Sequence, residues 1–93
     1  MAAMWFITLV KFRRKPTKHD TDAMGAYWAD AGKMGVKLHN VFWTLGRFDV
    51  VSITEAPDEK TQMKFALNAP TDLGATETLV AVSREEAIKF LPM

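Results

Sequence analysis

The chain contains no cysteine. That removes disulfides, thiolate nucleophiles and cysteine-based metal centres from consideration, and it fits a reducing compartment. An excess of one charge is also missing. Twelve lysines and arginines against eleven aspartates and glutamates leave a formal +1, so the chain as a whole has no electrostatic reason to seek nucleic acid or an anionic membrane. No apolar run is long enough to span a bilayer. The N-terminal run MAAMWFITLV has no basic region ahead of it and is followed by Lys11, Arg13, Arg14 and Lys15, the wrong order for a signal peptide. Internal repeats, low-complexity tracts, a phosphate-cradling glycine loop and a nucleophile motif are likewise missing. These absences predict a soluble, cytoplasmic, single-domain protein without cofactor or membrane partner. At 93 residues its core is small enough that a second subunit would help it.

What is present reads as a succession of short, well-punctuated elements. Residues 4–12, MWFITLVKF, are dense in aromatic and β-branched side chains and contain no turn former, which predicts a strand. Trp5, Ile7 and Leu9 point to one face and Met4, Phe6, Val10 and Phe12 to the other. Both faces need cover from water, so the strand should be central. RRKPTKHDTD then breaks the pattern and offers Asp20, Thr21 or Asp22 as an N-cap. Ala23, Tyr27, Ala31 and Met34 recur at helical spacing beside Trp28, and Gly35 stands where a left-handed cap is expected.

Residues 36–44 and 48–55 read as two strands of a hairpin turned by Gly46. Pro57 suits the first turn of a second helix, Asp58 and Glu59 complement its positive end, and Pro70 closes it beyond Ala69. Met63, Phe65, Ala66 and Leu67 give that helix its apolar side. Residues 75–82 return to strand character, and SREE is a capping box in which Ser83 and Glu86 start a short helix through Phe90.

The order βαββαβ with a terminal helix is the ferredoxin-like α+β plan, a four-stranded antiparallel sheet with the first and third strands in the centre. Two helices cover one face of such a sheet. The first strand is apolar on both faces, so the open face is expected to meet a second copy, giving a homodimer with its sheets face to face.

WTLGRFDVV at residues 43–51, EAPD at 55–58 and TETL at 76–79, set in this order of elements, resemble the GYD-domain proteins. These are small bacterial and archaeal proteins within the dimeric α+β barrel superfamily. The likeness runs from the ITLV strand to the terminal helix, and Gly46, Asp49 and Val50 match its hairpin motif. The family has a tyrosine where this chain has Phe48, so no role as acid or hydrogen-bond donor falls to that ring. The resemblance implies a ferredoxin-like subunit and a dimeric barrel, possible in several functional settings, since the wider superfamily includes cofactor-independent monooxygenases, isomerases and ligand-binding regulators.

Four residues are candidates for a ligand site: His39, Trp43, Arg47 and Asp49. Strict alternation puts Arg47, Asp49, Val51 and Ile53 on one side of the third strand, and His39 in one series with Val41 and Trp43. A carboxylate in a central strand is costly to desolvate unless paired, so Asp49 is expected either to fix the hairpin or to orient a ligand. His39 and His19 are the side chains whose type suits proton transfer near neutral pH, though their spacing makes no metal set. Glu77 interrupts a strand expected at the sheet edge, where charges deter unwanted pairing. Two functional readings follow. One is a small, partly apolar ligand held between sheet and helices by these residues, with cofactor-independent acid–base or oxygen chemistry if it is turned over. The other is a non-catalytic interaction module using the basic run KFRRKPTKH at residues 11–19, which lacks the aromatic interleaving of a nucleic-acid surface.

Overall fold

The computed structural model describes residues 3–70 and 72–92. Its elements are β1 (Met4–Phe12), α1 (Lys18–Ala29), a 3-10 turn (Ala31–Met34), β2 (Lys37–Trp43), β3 (Val50–Ala56), α2 (Glu59–Leu67), β4 (Gly74–Ala81) and α3 (Arg84–Ile88). The four strands form one antiparallel sheet in the order β2-β3-β1-β4, so the two most apolar strands are central, as the sequence predicts. β1 pairs Phe6 with Thr54 and Val10 with Val50 across β3, and on its other side pairs Phe6 with Val80.

Even-numbered residues of β1 and β3 face the helices. Phe6 and Ala56 join Ala31, Val36 and Phe65 in the buried cluster, with Met4, Tyr27, Trp28, Met34 and Leu38 packed around it. Tyr27 and Phe65 stack with ring centroids 4.4 Å apart, which locks α1 to α2. The Tyr27 hydroxyl donates to the Phe65 carbonyl, and burial pushes its phenol pKa up to about 12. Thr54 and Gln62, both buried, hydrogen-bond at 3.0 Å and so fix α2 to the central strand while satisfying each other.

α1 begins earlier than its apolar periodicity suggests. Its N-cap is Thr17, whose hydroxyl accepts from the Asp20 N–H while the Asp20 carboxylate accepts from the Thr17 N–H at 2.8 Å. Asp20 is therefore the third residue of the helix, the reciprocal partner in a capping box rather than the cap itself. The same carboxylate, 4 % exposed, takes a forked pair of hydrogen bonds from Arg14 at 2.6 and 2.9 Å. α2, by contrast, starts at Glu59, two residues after the Pro57 expected in its first turn. Asp58 is its N-cap, accepting from the Thr61 N–H at 2.8 Å, and Pro57 lies just outside the helix.

The Arg14 guanidinium, and then the Thr17 N–H, hold the Asp20 carboxyl well below the usual carboxylate range. A depressed carboxyl pKa stabilises the fold above the unfolded value of about 3.9 and loses that contribution as pH falls below it. Thermal unfolding followed from about pH 6 down to about pH 2 should therefore show Asp20→Asn less stable than the parent at the upper end, with the difference shrinking on acidification.

Candidate functional site: an apolar cavity beneath α1

The core lies toward the end of the sheet marked by Phe6 and Ala56. At the other end the layers part and leave a cavity of about 150 Å³. α1 roofs it with Thr21, Met24, Gly25 and Trp28, which share one helix face at i, i+3, i+4 and i+7. Val10 and Phe12 of β1, Val50 of β3 and Trp43 of β2 form the floor. Phe12 and Trp43 meet edge to face, centroids 5.3 Å apart at 65°. Ala69, Leu73, Gly74 and Thr76 close the β4 side. Gly74 is there because β1 runs so close: a Cβ would stand 2.6 Å from Val10 Cγ1 and 3.0 Å from the Lys11 carbonyl oxygen. A smaller space of about 50 Å³ adjoins it and shares Val10, Met24 and Trp28. Among the described residues the lining of the larger cavity contains no charged or titratable side chain, and its polar side-chain groups are the hydroxyls of Thr21 and Thr76 and the indole N–H groups of Trp28 and Trp43.

Of the four residues singled out in the sequence, Trp43 alone lines this cavity. His39 is on the opposite face of the sheet. A β-bulge places the register shift between Leu38 and Asn40, so the alternation that would group His39 with Val41 and Trp43 is broken at His39 itself. The imidazole stacks on Trp5 at 4.3 Å, and its Nε2 donates to Glu55 Oε1 at 2.8 Å. Arg47 lies in the hairpin turn ahead of β3, over the Phe48 ring at 5.5 Å, and does not pair with Asp49. Gly46 makes that turn at φ 106°. Asp49 ties the hairpin to the central strand: its carboxylate accepts from the Phe12 N–H at 2.8 Å, and its own N–H donates to the Val10 carbonyl at 2.8 Å. Lys11 Nζ approaches the same carboxylate at 3.6 Å.

The basic run is largely occupied by its own neighbours. Arg13 reaches the Asp72 carbonyl at 3.4 Å, Arg14 binds Asp20 and approaches Asp72, and Lys18 pairs with Asp22 at 2.7 Å. Among the described residues no group of three or more His, Asp or Glu is arranged to hold a metal ion, and no helix is long and apolar enough to cross a membrane.

A single antiparallel sheet ordered β2-β3-β1-β4 with α1 and α2 on one face is an α+β domain of the ferredoxin-like class. The chain belongs to the GYD-domain family, whose model matches residues 6–91. A search of the solved structures finds the crystal structure of PH0061, similar at a TM-score of 0.65 and 17% identity over 88% of this chain and 53% of that one. The chain thus spans about half the length of that relative, and at this identity the likeness shows the fold alone. A search of the curated proteins finds no match.

Replacing Asp49 by alanine leaves the half-buried Phe12 N–H without its acceptor, at a cost of about 1–3 kcal/mol. Urea unfolding should show a lowered midpoint for Asp49→Ala and a smaller loss for Asp49→Asn, whose amide oxygen still accepts. Equal losses would mean that the carboxylate charge beside Lys11 matters more than the hydrogen bond.

Proposed function

We propose that this protein is a dimeric α+β barrel that binds a small, partly apolar molecule in the cavity between sheet and helices. The cavity carries the reading: it is walled by six elements or their flanks, nearly all apolar, and is roomier than the space of about 50 Å³ that adjoins it. Asp49 serves this site by holding the floor strand and the hairpin together, and Trp43 serves it directly as a wall. Because the lining carries no acid or base, the function assigned is binding. His39 and Glu55 sit across the sheet and have no path to a ligand held there.

The dimer rests on the opposite face. Trp5, Ile7 and Leu9 of β1, Val51 and Ile53 of β3 and Leu79 of β4 stand side by side in the register, with Phe42 beyond them, and Trp5, Phe42 and Leu79 are exposed. Lys11, Lys37, Glu55 and Glu77 flank this patch, an apolar centre with a charged rim of both signs, which is the anatomy of a protein interface. The interaction-module reading draws little support from the basic run, in which Lys11, Arg14 and Lys18 pair with Asp49, Asp20, Asp72 and Asp22 of the same chain.

Native mass spectrometry of the purified protein tests both halves at once. A dimer carrying a defined extra mass is the expected result. A monodisperse monomer at micromolar concentration would end the dimer proposal, and Ile53→Lys, placed in the centre of the open face, should itself produce that monomer without unfolding the subunit.

A further inference from the structure

Gly25 is a glycine inside a helix. It stands mid-way along α1, where alanine would be more favourable for the helix, and it needs no left-handed backbone. Nor does close packing demand it, since a Cβ built there meets no atom within 4 Å. What its missing side chain leaves is space on the cavity face, between Thr21 one turn before and Trp28 one turn after. A position that weakens its own helix with no local compensation points to a functional demand.

Resting on the ligand-binding reading above, we infer that the cavity takes a neutral, single-ring aromatic molecule and that Gly25 is the specificity-determining residue that makes room for the ring. Size comes first. A space of ~150 Å³ is large enough for benzene, so the pocket, which is open to solvent along Thr21, Gly25 and Trp43, admits one ring with a small substituent. Charge comes next: a lining that holds no cation among the described residues offers an anionic substituent no counter-charge in exchange for the water it loses. Shape comes last. Phe12 and Trp43 already meet edge to face, and Trp28 stands on the roof, so a flat ring extends an aromatic cluster where a saturated ring would only fill volume. The Thr21 hydroxyl donates to the Lys18 carbonyl at 2.9 Å, so what it offers the cavity is a lone pair, suited to a phenolic O–H or a ring N–H.

Titration calorimetry of the full chain with toluene, phenol, cyclohexane and benzoate, with the fluorescence of Trp28 and Trp43 as a second readout, tests this. Toluene and phenol should bind, cyclohexane several-fold more weakly, and benzoate at least about tenfold more weakly than phenol. Benzoate binding as tightly as phenol would overturn the neutral ligand class, and cyclohexane matching toluene would overturn the aromatic one. Failure of all four probes would instead remove the binding reading on which the inference rests. Gly25→Leu should stay folded and lose phenol affinity by at least about tenfold, since its side chain occupies the space of the ring. Gly25→Ala should raise Tm by roughly 4–8 °C through helix propensity alone and weaken phenol binding less. Unchanged phenol affinity in Gly25→Leu, or a lowered Tm in Gly25→Ala, would overturn the role given to Gly25. If the leucine variant does not fold, the alanine variant decides: undiminished phenol binding there overturns it as well.

Discussion

Strand β1 crosses the middle of the sheet with apolar side chains on both faces, and only one layer of helices is available to cover them. Phe6 takes the covered side and packs among Val36, Phe65 and Ala56, while Trp5, Ile7 and Leu9 take the bare one. The molecule is accordingly a slab, 50 × 32 × 17 Å in extent, thin along one direction. The charged residues flanking the bare face, the hydroxyls of Thr8 and Thr78 paired on the other, and the position of every helix contact follow from which side of β1 a residue faces.

On the covered side the sheet is treated differently at its two ends. Where β1 begins, α1, α2 and the 3-10 turn close over Phe6, and the Tyr27–Phe65 stack joins the two helices. Where β1 ends, α1 is held from outside rather than from within. Arg14, Asp20 and Thr17 fix its first turn through hydrogen bonds at the protein surface, and the Asp49 carboxylate fixes the strand end and hairpin below. Polar staples at the margin thus do the positioning that apolar filling does at the other end, and the interior between them can remain open.

Much of this was legible. The first strand is found over the residues expected, the hairpin turns at Gly46, and the first and third strands occupy the centre because their apolar density announced it. The start of α1 was less so, because Asp20 matched a cap by residue type and its actual partners, Arg14 and Thr17, emerge only when the loop folds back. The candidate site was read least well. Arg47 and Asp49 drew attention as charges in an apolar strand, yet one lies in the turn and the other binds backbone. The cavity residues carry no charge and so gave little chemical signal: Trp43 alone was singled out by residue type, and Gly25, a helix breaker in the interior of a helical pattern, went unremarked.

The bulge at His39 makes β2 a strand of two phases. Before it, Leu38 faces the helices opposite Thr54; after it, Val41 and Trp43 do so, opposite Ser52 and Val50, only because one extra residue is inserted. In genetic terms the strand is frame-sensitive. Loss of the codon for His39 would only run the ladder straight from Leu38 to Asn40 and keep Trp43 facing inward, whereas loss of a codon beyond the bulge, at Val41, would turn Phe42 inward and Trp43 outward. The wall of one surface and the centre of the other are in that sense written in the same reading frame, and neither can drift along the strand without the other.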